Sequence, residues 1–163
     1  MSEAPAEAVI ASPLPGGRRI GLVAAGGALS RVKLLPATAP LVAPSDPLLR
    51  EAAGQVTGYF SDPAWRFDLP MAAGGTVFQR RVWDALCELP PGRPSRYGEL
   101  AGRLGSSARA VAAACRANPL PLVVPCHRVV SAQGIGGFMG SLTGAPVELK
   151  RWLLEHESHA PTP

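Results

Sequence analysis

The sequence predicts an α/β protein of the α+β kind, with a small sheet-and-helix part followed by a mainly helical part. Three observations predict it. Residues 8–35 hold three short β-tending runs punctuated by glycine and proline. From residue 45 onward, apolar residues recur at helical rather than alternating spacing. After the first of these helical stretches comes Pro63 to Gly75, with two prolines and two glycines, which reads as a linker. The boundary is set near residue 70, giving domains over 1–70 and 71–163.

Ala8 to Ile10, Arg19 to Ala25 and Leu29 to Leu35 are the expected strands. Ser45-Asp46-Pro47 supplies a cap, an acid and a first-turn proline, so a helix should begin there, with Leu49, Ala52, Ala53, Val56 and Phe60 on its apolar face. Thr76 and Gln79 form a capping box; Phe78, Val82, Leu86 and Leu89 are the buried stripe it introduces, and Pro90-Pro91-Gly92 ends the helix. Ser95 is the expected cap of a short helix from Tyr97 to Leu104, broken by Gly105. Ser106 or Ser107 starts the next, with Ala108, Val111, Ala112 and Cys115 on one face, until Asn118-Pro119. Two helices across a glycine turn resemble a helix-turn-helix, and ordinary helix packing would look the same. A last helix covers about Val147 to Glu157, with Leu149, Trp152, Leu153 and His156 in register and Arg151 spaced to pair with Glu155; Ala160 to Pro163 should fray.

Hydrophobic residues make up 47% and charged residues 17%, the balance of a folded chain rather than a disordered one. No apolar run reaches the length of a membrane span, and Met1 to Ala8 carries Glu3 and Glu7 instead of a basic leader, so a cytoplasmic protein is expected. Cys87, Cys115 and Cys126 are odd in number and make no CxxC pair, which excludes a disulfide framework. With only His127, His156 and His159 beside them, no metal site is expected. Cys87 and Cys115 fall on apolar helical positions and read as structural. The net charge of +4 lies entirely beyond residue 75, where arginines dominate. Such a surface suits phosphate contacts, and equally a solvated face.

The most informative stretch is Leu122-Val123-Val124-Pro125-Cys126-His127-Arg128-Val129-Val130, which sets a thiol beside an imidazole and a guanidinium. A thiol becomes an effective nucleophile when a base or positive charge favours its thiolate. Pro125 pushes Val124 toward extended geometry, so the apolar run should deliver Cys126 to a buried place. The same residue would also suit an inert core position.

Five segments then resemble the O6-alkylguanine-DNA alkyltransferases in order and rough spacing: TVFQRRVWDALCEL from Thr76, SRYGELA from Ser95, ARAV from Ala108, RANPLPLVVPCHRVV from Arg116 and KRWLLEHE from Lys150. The likeness covers about residues 76–157 and is fainter at Ala11 to Gly16 and around Gly58-Tyr59-Phe60. It implies a ribonuclease-H-like companion domain and a second domain carrying DNA binding and alkyl transfer. It further implies flipping of O6-alkylguanine out of double-stranded DNA and irreversible, single-turnover transfer of the alkyl group to Cys126. By the same resemblance His127 acts through a water, Glu157 orients it, and Tyr97 positions the base and donates a proton. Arg109 is the intercalating arginine, on a helix whose Ala110, Ala113, Ala114 and Arg116 approach DNA. Asn118 is the hinge and Arg128 a structural support. Val129, Phe138, Met139 and Cys115 belong to the pocket, with the carbonyls of Cys126 and Val129 reading the guanine amino group. No cofactor is implied, because the damaged base is the donor, and a monomer is expected.

The loop Gly134 to Pro146 departs from the pattern, since Met139 follows Phe138 and the segment is lengthened. Met139 has no side-chain donor for O6 and leaves that bond to its backbone N–H. The alternative function is an alkylated-base binding protein that flips without accepting the group; such relatives replace the cysteine that stands here at position 126. A purely regulatory helix-turn-helix protein would have no use for the PCHRV segment.

Overall fold

The computed structural model describes residues 5–161. Met1 to Ala4, including Glu3, and the tail residues Thr162 and Pro163 lie outside them. The protein is a mixed α/β fold and divides into two compact units, one ending at Ala73 and the other beginning at Gly74. Among the described residues no helix is long and apolar enough to cross a membrane.

In the first unit β1 (Ala8–Ile10), β2 (Arg19–Ala25) and β3 (Ala28–Leu35) form an antiparallel sheet in that order. Gly26 and Gly27 turn β2 into β3, with φ of 59° and 79° that a two-residue hairpin turn demands and a side chain would resist. Helix α1 (Pro47–Ser61) starts where Asp46 accepts from the Leu49 N–H at 2.8 Å. Its buried face is Leu49, Ala52, Ala53, Gln55, Val56 and Tyr59, so the stripe ends on Tyr59 and leaves Phe60 half-buried. Gln55 is a buried amide with reciprocal bonds to Asp68: Nε2 donates to the Asp68 carbonyl at 2.8 Å, and the Asp68 N–H donates to Oε1 at 2.8 Å. That pairing, with the Leu29 N–H donating to the Pro70 carbonyl and the Ala72 N–H to that of Leu29, corrects the reading of Pro63 to Gly75 as a plain linker. Proline and glycine density marked irregular backbone, but the segment is packed against β3.

In the second unit α2 (Val77–Cys87) opens on the Thr76–Gln79 capping box, with both of its bonds formed. Its buried residues are Val82, Trp83, Ala85 and Leu86; Phe78 is half-buried and Cys87 is exposed, which corrects the structural reading of that cysteine. Two-residue strands β4 (Ser95–Arg96) and β5 (Val129–Val130) pair in parallel. Ser95 therefore spends its backbone on the ladder and does not cap α3 (Tyr97–Leu104), whose preceding residue is Arg96 and makes no side-chain cap bond. Gly105, at φ 64°, closes α3, and Ser107 caps α4 (Ala108–Arg116) by accepting from the Ala110 N–H at 3.2 Å. Helix α5 (Ala145–Glu157) ends the unit. On it Glu155 lies 3.8 Å from His159 instead of meeting Arg151, and Trp152, half-buried, stacks on His156.

Candidate active site

The backbone that carries Cys126 is folded by Asn118. Its Nδ2 donates to the Val124 carbonyl at 2.9 Å, while its Oδ1 accepts from the Leu120 N–H at 2.9 Å. Between these ties the chain turns, with Leu122 at φ 77° and the Val124 N–H donating to the Leu120 carbonyl at 2.8 Å. Cys126 to Arg128 then form one turn of 3-10 helix before β5. The apolar run thus turns at Leu122 before Pro125 and delivers Cys126 to a buried place. Its peptide groups need partners away from water, and the Asn118 amide supplies two.

All three residues of the 3-10 turn are buried, His127 completely and Cys126 at 6% exposure. The fold brings the imidazole to Glu157 across the sequence: His127 Nε2 lies 2.6 Å from Glu157 Oε2. Arg128 grips the same carboxylate, its Nε donating to Oε1 at 2.9 Å and one terminal nitrogen to Oε2 at 3.1 Å, while the other donates to the Leu89 carbonyl at 2.7 Å. Burial pushes the Glu157 carboxyl up, but His127 and Arg128 outweigh it and hold the group down at about 2. Burial also dominates at His127 and lowers its pKa despite the carboxylate. The ring is therefore neutral near pH 7, and Arg128 is the permanent cation that keeps Glu157 ionised. A neutral ring donating from Nε2 carries its lone pair on Nδ1, which is buried and has no hydrogen-bond partner among the described residues. This is the arrangement of a general base held in one tautomer.

Lys150, on α5, is a buried residue beside the site that sequence reasoning passed over. Its side chain is fully buried, with Nζ donating to the Val129 carbonyl at 2.6 Å and to the Gly137 carbonyl at 3.0 Å, 5.6 Å from the centroid of the Tyr97 ring. Burial lowers its pKa to about 8, with the thiols of Cys126 and Cys115 acting in the opposite direction. A lysine so deeply enclosed carried no mark in the sequence that set it apart from the adjacent Arg151, which is exposed.

Around Cys126 lies a cavity of about 400 Å³, within the size range of ligand sites, lined by Tyr97, Ala112, Cys115, Arg116, Phe138, Met139 and neighbouring loop residues. Burial raises the Cys126 thiol pKa, and the Asn118 side chain, Lys150 and the local backbone oppose that rise. Burial pushes Tyr97 up to about 12, so its hydroxyl stays protonated, and burial followed by the Cys126 charge takes Cys115 to about 12. The site thus holds one thiol with a base and hydrogen-bond support, and a second without them.

Several expected site residues lie elsewhere. Val129 is fully buried and does not line the cavity; its carbonyl already accepts from Lys150. Ala114 is 2% exposed and its carbonyl accepts from Trp83 Nε1 at 2.9 Å, so it faces the core and is corrected as a DNA contact. The helical period turns that position inward, whereas Arg109, Ala113 and Arg116 are exposed and Ala110 half-exposed. Ala112, read from the sequence only as part of the helix face with Val111 and Cys115, lines the cavity instead.

Residues 77–159 match the family model described as 6-O-methylguanine DNA methyltransferase, DNA binding domain. The methylated-DNA–protein-cysteine methyltransferase of Methanosarcina mazei is 41% identical over 114 residues, which cover 68% of each chain. That of Salmonella typhimurium is 49% identical over 94 residues, but the alignment spans only 52% of its length and 56% of this chain. Among solved structures, the O6-methylguanine methyltransferase of Mycobacterium tuberculosis superposes with a TM-score of 0.76 at 35% identity, covering 95% of this chain and 94% of that one. A structure of the Mycobacterium tuberculosis protein in complex with DNA gives 0.74 at 35% identity, with 94% and 93% covered. The chain belongs to the 6-O-methylguanine DNA methyltransferase family.

Proposed function

We propose that this protein repairs alkylated DNA by direct reversal, flipping O6-alkylguanine from the duplex and moving the alkyl group onto Cys126. The observation that carries the reading is a buried thiol at a cavity, next to a neutral imidazole whose other nitrogen is anchored by an ionised Glu157. His127 Nδ1 takes the thiol proton through a water; the sulfur forms a bond to the alkyl carbon, and the carbon–O6 bond breaks with its electron pair passing into guanine. Tyr97, which remains protonated, donates to the departing base. Asn118 and Arg128 hold this geometry as hinge and brace. The thioether has no leaving route, so each molecule reacts once, and the donor base removes any need for a cofactor.

Arg109 stands exposed in the first turn of α4 and is assigned to fill the gap left by the flipped base, with Ala110, Ala113 and Arg116 against the duplex. The existence of a relative solved with DNA supports this docking. The protein is assigned as a monomer acting in the cytoplasm. Its three cysteines are all free thiols, and a reducing compartment preserves them.

Mass spectrometry after incubation with a duplex carrying O6-methylguanine tests the reading. The peptide containing Cys126 should gain one methyl group, with guanine restored in equal amount. Intact lesion and unmodified sulfur under protein excess would reject it.

Lys150 gives a further expectation. Its ammonium favours the Cys126 thiolate and is lost as pH rises through about 8. The single-turnover rate of the wild type should therefore stop rising near that pH. In Lys150→Met the rate should fall about ten- to hundredfold, the range for loss of one preorganised donor, and the bend near pH 8 should vanish. A bend that survives the substitution assigns it to another group.

A further inference from the structure

The lengthened loop before α5 ends in a tight hairpin whose conformation is costly for its sequence. The Phe138 N–H donates to the Ser141 carbonyl at 2.8 Å and the Ser141 N–H returns a bond to Phe138 at 3.0 Å, so Met139 and Gly140 are the two central residues of the turn. Both have positive φ, 52° and 83°. Glycine and asparagine suit that geometry; methionine does not, and strained backbone of this kind persists where the side chain is used. The hairpin is anchored at its base, where the Gly137 carbonyl accepts from Lys150 and the Leu142 side chain lies so close over Gly137 that an added Cβ would stand 3.1 Å from Leu142 Cδ2. Met139 and Leu142 both line the cavity, yet are 48% and 82% exposed, so they form an apolar lip at its mouth.

The inner end of the cavity is closed by Cys126 and Phe138, both buried. A methyl group needs only the space at the sulfur. The further atoms of a longer substituent have to run outward along the wall, toward the mouth and its lip. We propose that Met139 and Leu142 are specificity-determining residues that favour lesions with long apolar O6 substituents. This rests on the alkyl-transfer reading and names its preferred substrate class.

The test compares single-turnover rates on duplexes carrying O6-methylguanine, O6-butylguanine, and the same butyl arm ending in a hydroxyl. The wild type should transfer the butyl group faster than its hydroxylated counterpart. Met139→Asn keeps a residue suited to the left-handed turn while removing the apolar side chain, and Leu142→Ser removes the other apolar side chain outside the turn; neither should lower the melting temperature. In the double variant the butyl-to-methyl rate ratio should drop at least tenfold, and the disadvantage of the hydroxylated arm should shrink. An unchanged ratio, or a parallel fall of all three rates with DNA affinity, overturns the proposal. A wild type that transfers methyl but not butyl does so too, while one that transfers nothing removes the underlying reading and this proposal with it.

Discussion

Cys126→Ser is expected to leave O6-methylguanine in the duplex intact while binding that duplex with an affinity within about twofold of wild type, since the sulfur contributes to the reaction rather than to docking. A hydroxyl ionises far less readily than a thiol and is the poorer nucleophile, and removing a nucleophile that acts with its base costs on the order of a thousandfold or more in rate. The substitution is close to isosteric in a buried position, and the hydroxyl can still accept the Asn118 contact that supports the thiol, so the fold should persist. Gel-shift affinity together with transfer measured on the same preparation distinguishes the cases. Undiminished transfer would move the reaction to another residue, and Cys115, in the same cavity, would be the first to inspect.

Glu157→Gln should weaken both the fold and the reaction. The carboxylate satisfies His127 and the Nε and one terminal nitrogen of Arg128 in a place from which water is excluded, so its loss leaves a buried guanidinium without its counter-ion. Breaking a buried pair from one side costs about 3–5 kcal/mol. A carboxamide is also able to present its donor to the imidazole and reverse the tautomer, which would put the proton on Nδ1 and remove the base; a loss of roughly a hundredfold or more in transfer follows. The pH dependence has a definite sign. Glu157 has a folded pKa of about 2 against 4.5 for an ordinary carboxyl, so its contribution is complete above about 4.5 and lost as pH falls toward 2. His127 acts in the same direction, because its folded pKa is depressed and the unfolded chain binds the proton more readily as pH drops below 6.5. Urea midpoints of the wild type should therefore decline below pH 6.5 and again below 4.5, and Glu157→Gln should lack the second decline. Equal acid slopes in the two proteins would show that Glu157 is not held ionised by this cluster.

Local chemistry made much of this protein readable from its residues. The Thr76–Gln79 box, the Asp46-Pro47 start and the Gly105 stop are short-range events, completed within one helical turn, and they appear where the spacing puts them. Cys126 and His127 stood out because neighbouring residues in the chain define them as a pair. Even the role of Glu157 came through resemblance rather than pattern, since nothing in helical spacing tells which glutamate of α5 will face an imidazole 30 positions earlier.

What the sequence by itself determined was therefore the order of elements, most of their caps and the adjacency of the candidate thiol and imidazole, all set by interactions spanning a few residues. Tertiary structure alone decided that the run before Cys126 turns at Leu122, that Ala114 lies under Trp83, and that Cys87 faces outward. It also decided that Lys150 bridges Val129 and Gly137 from inside. These outcomes depend on which surfaces meet once water is expelled: a buried peptide or ammonium group takes the partner that packing brings to it, and the partner's place in the chain carries no mark of that meeting.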